Sequence, residues 1–261
     1  DQGSTTTLTL LGNGTQQLRG SGEVIFGGTS SAGIVSSSAA GSTLDIAAGI
    51  LIHGTRHGTV GAAALGLANH GTIKADASGM TITVTGTNWT NDGTLWANTG
   101  TLTTAGSWSS SGASDLIQVD ATGTLNLGGT FTTSAISGNV TRATGSTVNL
   151  VNTLDLATGS YDLGAAGNIG SLVLLNNAAV QNGTLLTTNA TSATLASFAN
   201  VTFTGVTLGN GTANSGNVTA NNGADLFIGS GGLDLNAGKI TLNDQGSTTT
   251  LTLLGNGTQQ L

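Results

Sequence analysis

The chain contains no cysteine and no proline, and only 7 % of its 261 residues are charged. The missing cysteine excludes disulfides and thiolate metal sites together. The missing proline suits a backbone whose amides are nearly all committed to strand ladders, where proline cannot donate. Five Lys and Arg stand against twelve Asp and Glu, a formal net charge of −7. Five scattered basic residues cannot neutralise a phosphate backbone, which argues against nucleic acid as a partner. So little charge also excludes a solvated disordered tail. No apolar run approaches the roughly 18 residues of a membrane span.

What is present points to strands. Hydrophobic residues make up 37 % of the chain, beside 43 Gly and abundant Thr. Thr and β-branched residues favour strands. Several runs alternate with the two-residue strand rhythm, among them Thr7-Leu8-Thr9-Leu10, Thr81-Ile82-Thr83-Val84-Thr85, Thr124-Leu125-Asn126-Leu127 and Thr147-Val148-Asn149-Leu150. Each ends at Gly, Asn or Ser. No stretch carries a helical period with caps, and the nearest, LASFANV at Leu195 to Val201, is too short.

A short period runs through these strands. NHGTI at Asn69 returns as NDGTL at Asn91, and GTL at Gly100 returns at Gly123 and, as GSTVNL, at Gly145. A spacing near 22 predicts the coils of a parallel β-helix, an all-β fold in which each coil stacks its strands on the coil below. Inward side chains then form apolar columns. One coil buries too few of them to fold alone, and many neighbours together suffice. Asn69 and Asn91 are predicted to stack as an internal ladder.

A longer period encloses the short one. Residues Asp1 to Leu18 read DQGSTTTLTLLGNGTQQL, and residues Asp244 to Leu261 repeat them letter for letter, an offset of 243. The economical reading is a tandem array in which residues 1–243 form one unit and residues 244–261 begin the next. Both ends are then cut ends, and the absence of a signal peptide says nothing about targeting. Such a unit would hold about 11 coils, and at ~4.8 Å per coil it would measure roughly 50 Å.

The segments GEVIFGGTSSAGIV, GSTLDIAAGILIHG, NHGTIKADASGMTITVTG, NDGTLWANTGTLTTAG and ATGTLNLGGTF resemble the repetitive β-helical regions of bacterial giant surface proteins. These are the filamentous-haemagglutinin-like exoproteins and the autotransporter-adhesin passengers. The resemblance covers nearly the whole chain and is one of composition and period. It implies export to the cell surface or beyond, a right-handed parallel β-helix, and a stalk, fibre or adhesive role. It carries no catalytic signature and identifies no ligand.

The candidate sites are few. His53, His57 and His70 lie close together in sequence and are the only histidines. Three imidazoles suit Zn²⁺ or Cu²⁺, but turn residues facing water explain them more simply. If Gly71 and Gly93 mark equivalent corners, His70 and Asp92 sit one above the other. Trp89, Trp96 and Trp108 are the only tryptophans and also cluster in one stretch of the chain. They form either a sugar-stacking patch or a ladder inside the fold, and the ladder is favoured. Asp115 with Asp120, and Asp155 with Asp162, flank apolar runs where a polysaccharide-active enzyme would need converging carboxylates. Solvated charges are the simpler reading. The Ca²⁺-binding GGxGxD nonapeptide and the GxSxG elbow are absent, and Asn-x-Thr triplets such as that at Asn256 follow from composition. No catalytic residue and no cofactor are expected. The expected function is a structural segment of an extracellular β-solenoid fibre. Its partners are adjacent identical repeats stacked end-to-end, with lateral self-association into fibres. An adhesin is the alternative, and a polysaccharide-active enzyme ranks below both.

Overall fold

A computed structural model describes residues 5–28, 32–110 and 115–254. The chain winds as a β-solenoid of about ten turns, with a spacing of roughly 23 residues per turn. The all-β parallel β-helix expected from the sequence is the fold observed. Among the described residues the sole helical element is one 3-10 turn, Thr133–Ile136. Two compact units divide the chain: Asp1–Thr130 with Asn139–Thr147, and Phe131–Gly138 with Val148–Leu261.

In the first unit each turn lays down up to three short strands. Gly22–Phe26, Ile50–Gly54, Thr72–Ala75, Thr94–Ala97, Leu116–Val119 and Val140–Arg142 stack in parallel as one six-stranded sheet. Their register aligns Ile52, Ile73, Leu95, Ile117 and Val140 in a single buried column. Strand alternation puts every second residue inside, and each buried aliphatic contributes on the order of 1.5–3 kcal/mol. A second column, Val35–Val60–Val84, comes from Ala32–Ser37, His57–Gly61 and Thr81–Asn91. Thr81–Asn91 and Thr101–Ser110 are long because each runs round a corner without leaving the ladder.

Glycine makes the sharpest of these corners possible. Gly106 has φ +75°, and a Cβ there would stand 2.0 Å from the Gly86 carbonyl oxygen of the turn below. Gly129 repeats the arrangement on Gly106. At Gly93 a Cβ would stand 2.2 Å from the Gly71 oxygen. Gly71 and Gly93 are therefore equivalent corners, as the NHG and NDG triplets suggested.

The second unit stacks Leu172–Leu174, Ala193–Leu195, Asn217–Ala220 and Lys239–Leu242 on one face. Ala179–Leu186 and Asn200–Leu208 pair along their length, followed by Asp225–Ile228 and Leu233–Leu235. Val180, Phe203 and Ile228 form a buried column. Tyr161 is buried, and its hydroxyl donates to the Ile136 carbonyl at 2.8 Å. Loss of water around it raises its pKa above the usual phenol value. The LASFANV run is no helix: Leu195 ends a strand, Phe198 turns the chain at φ +60°, and Asn200 opens the next strand.

The repeated segment is strand in both copies. Thr6–Leu10 pairs with Ala32–Ser37, and Thr250–Leu253 pairs with Asp225–Ile228. Residues 1–4 and 255–261, which include Asn256, lie outside the described residues.

Candidate functional site

The three histidines do not share one site. His53 lies on Ile50–Gly54, with Nδ1 2.8 Å from Asp76 Oδ2 and Nε2 3.6 Å from Glu23 Oε2. Asp76 also accepts from the Gly54 amide, and Lys74 Nζ stands 3.9 Å from it. His57 is exposed, and its Nδ1 accepts from the Thr81 amide at 3.0 Å. His70 lies between Asp45 and Asp92, 3.7 Å from each. The stacking of His70 under Asp92 is as the corner alignment predicted. Among the described residues, no group of three or more His, Asp or Glu side chains is arranged to hold a metal ion. His53 and His70 instead each bridge carboxylates of the turns below and above.

The tryptophans divide between interior and surface. Trp89 and Trp108 are in register on adjacent turns, both buried, with ring centres 5.3 Å apart and planes at 16°. Trp89 Nε1 donates to the Ala105 carbonyl at 2.8 Å and Trp108 Nε1 to that of Gly128 at 3.0 Å. They are an internal ladder, satisfied at both indole nitrogens. Trp96 belongs to the six-stranded sheet and faces outward, half-buried. Lys74 Nζ lies 4.2 Å from the centre of its ring, a cation–π contact. Its Nε1 donates to Asp120 Oδ2 at 2.9 Å. A common sugar patch of all three indoles is thus not formed.

The carboxylates are each committed to nearby donors. Asp115 and Asp120 sit at opposite ends of the strand Leu116–Val119. Asp120 accepts from Gln118, Asn98 and Trp96, and these bonds hold its pKa below the usual carboxylate value against the opposing effect of burial. At Asp155 burial pushes the pKa up, and donation by the Ala157 amide, Gln181 and Asn182 outweighs it, so the net shift is down. Asp162 follows the same balance, with the Thr188 hydroxyl and amide and the Gly164 amide as donors. A carboxyl held ionised at a turn corner is a poor general acid.

The predicted asparagine ladder is present, and it extends further than the sequence indicated. Asn69 and Asn91 are fully buried, and Asn69 Nδ2 donates to Asn91 Oδ1 at 2.7 Å. Asn91 Nδ2 reaches the Gly93 carbonyl and the Ser110 hydroxyl. Ser110 donates to Asp115 at 2.6 Å, and Asn139 donates to the same carboxylate at 2.7 Å. Ser110 and Asn139 carry no periodic signal in the sequence. Ser110 is in register with Asn91 after a turn shorter than the one that separates Asn69 from Asn91. The ladder stops below Asn69, whose strand neighbour is Ile46. Asn69 Oδ1 meets no donor among the described residues.

The surface differs at the two extremes of the chain. Eight large apolar side chains are exposed among the described residues. Leu8, Leu11 and Ile25 belong to the first turn; Leu235, Leu242, Leu253 and Leu254 belong to the last; only Phe198 lies elsewhere. Among the described residues, no helix is long and apolar enough to cross a membrane. Compared with known proteins, the chain matches no protein-family model, no curated protein and no solved structure.

Proposed function

We propose that the chain is a length of an extracellular β-solenoid fibre built from tandem 243-residue units, acting mechanically and without catalysis. The observation that carries this reading is the concentration of exposed apolar side chains in the first and last turns. Terminal turns of a free-standing solenoid need a polar outer face to remain soluble. Turns that continue into another unit do not. The repeated segment supports the same reading, since its second copy already lies on the Asp225–Ile228 strand. Repeat number then sets length, and stacked ladders set stiffness. Electron microscopy of the native material is expected to show thin unbranched filaments. Fibre diffraction is expected to show a reflection near ~4.8 Å along the fibre axis. Compact, non-fibrous particles would rule the reading out.

An adhesive role is favoured by one observation only, the outward Trp96 with Lys74 above its ring and Asp120 at its nitrogen. Aromatic faces flanked by polar groups suit sugar rings. Binding to a glycan array that Trp96→Ala abolishes is the expected result of this second reading. Silence of the intact chain on such an array removes it.

A further inference from the structure

Phe198 is exposed at 65 %, and among the described residues it is the one large apolar side chain exposed away from the first and last turns. It sits in a four-residue turn that recurs along the chain, closed by a bond from the fourth amide to the first carbonyl. The third residue of this turn is left-handed, a conformation that Gly adopts freely and Asn tolerates. In the second unit, residues 175–178, 196–199 and 221–224 form three such turns, stacked in order. Their third residues are Asn177 at φ +68°, Phe198 at +60° and Gly223 at +71°. Phe198 thus carries a left-handed backbone and an aromatic ring in water where its neighbours have Asn and Gly. A residue that breaks local rules in this way marks a functional position. Its exposure is not that of a cut end, because the turns holding Asn177, Gly223 and Ser247 are all in place around it.

The ring rests on Gly223, where a Cβ would stand 2.5 Å from it. Amides flank it. The second residues of the three turns are Asn176, Ser197 and Asn222. Asn176 Oδ1 accepts from the Asn200 amide at 3.0 Å and from its Nδ2 at 3.2 Å. Asn222 Oδ1 accepts from the Gln245 and Ser247 amides, both at 2.9 Å. Each side chain is held by its oxygen, which leaves its NH2 group to donate to a ligand. No Lys or Arg occurs in these turns or in residues 243–247, and the whole chain carries a net charge of −7.

We propose that Phe198 and its flanking amides bind a neutral glycan, one pyranose ring stacking on the phenyl face. The C–H face of the sugar covers the apolar ring, and its rim of hydroxyls accepts from the Asn NH2 groups. A protein partner would need about 800 Å² of buried surface on each side, and this corner offers a single large apolar residue. The lack of basic groups disfavours acidic sugars. The site is independent of the fibre reading and of Trp96, which belongs to the first unit.

The test follows the phenylalanine ring signals of carbon-13-labelled protein by NMR during titration with cellohexaose and with chitohexaose, both uncharged and flat-faced. The expected result is a saturable shift of the Phe198 signals, identified by their absence from Phe198→Asn, and no response to oligogalacturonate. Phe198→Tyr is expected to retain binding. Phe198→Asn places in this turn the residue found at position 177; it is expected to lose binding while its thermal unfolding midpoint, read by circular dichroism, stays level or rises. A lower midpoint or a failure to fold assigns the ring a structural role and overturns the proposal. Silence with both neutral oligomers, or a stronger response to oligogalacturonate, overturns it too. Phe198 shifts that grow with protein concentration in the absence of sugar identify a second copy as the occupant and likewise overturn it.

Discussion

The asparagine ladder makes an asymmetric prediction. Asn91→Leu removes the side-chain acceptor of Asn69 Nδ2, leaving both polar atoms of a fully buried amide without partners. A stranded buried group costs about 1–3 kcal/mol. The other groups bonded to Asn91 keep alternatives, since Ser110 still meets Asp115 and Asn139. Asn69→Leu is different. It strands Asn91 Oδ1, at a cost of about 1–3 kcal/mol. It also removes Asn69 Oδ1, which had no donor, and it extends the apolar column above Ile46. These effects oppose each other, and the net change is expected to stay within ~1 kcal/mol. In the double variant no amide is left stranded, so it is expected to be more stable than Asn91→Leu alone by about 1–3 kcal/mol. Trp89, Trp96 and Trp108 all belong to the first unit, so denaturant unfolding followed by tryptophan fluorescence reads the unit that holds the ladder. The reasoning is refuted if Asn69→Leu costs as much as Asn91→Leu, or if the double variant shows the sum of the two.

Other perturbations separate backbone from side-chain causes. Gly79 and Gly106 share φ +75°, but a Cβ at Gly79 meets nothing within 4 Å. Gly79→Ala is expected to cost only the ~1–2 kcal/mol of left-handed backbone, and Gly106→Ala distinctly more; equal losses of unfolding midpoint would dismiss the backbone contact as the cause. Trp108→Ala breaks the buried stack and is expected to lose ~3–5 kcal/mol, whereas the half-buried Trp96→Ala loses less, and the reverse order in urea titrations would contradict the assignment of interior and surface. The folded-state pKa values of Asp120, Asp155 and Asp162 lie below their unfolded values. The stability they contribute is therefore fully present above the unfolded carboxylate value of about 3.9 and is lost as pH falls through the folded values. Melting temperature is expected to decline below about pH 4, with a smaller decline in Asp162→Asn; a variant with an unchanged acid profile would count against this carboxylate.

The fold was legible because its grammar is local. Alternating Thr-Leu and Thr-Val runs, corner glycines and a near-constant spacing all express one turn of solenoid, and Thr72 does lie under Thr94 as the NHGTI and NDGTL motifs require. Asn69 under Asn91 was legible for the same reason. The rest was hidden wherever the turn length changed. Trp89 and Trp108 stack across a shortened turn, whereas Trp96 is nearer to both in sequence and faces the other way on a different sheet. Sequence proximity grouped three indoles that the corner at Asn91 to Gly93 separates. Likewise, three nearby histidines suggested convergence. Instead, His53 and His70 answer to carboxylates about one turn away in sequence, and His57 to the Thr81 amide. The short helical turn Thr133–Ile136 has no period at all by which it could be recognised.

The buried amide ladder has a consequence for how such a chain reaches one structure. A solenoid of similar turns has a characteristic error, in which a turn stacks on the wrong neighbour and skips or loops out one coil. Apolar columns discriminate weakly against this slip, because Leu, Ile and Val replace one another with little loss. A single set of buried polar groups discriminates strongly, since any shift leaves amides facing aliphatic side chains. Buried Asn69, Asn91 and Ser110, with half-buried Asp115 and Asn139 bonded to them, thus act as an index mark, fixing the order of turns in a stretch whose other residues would tolerate several.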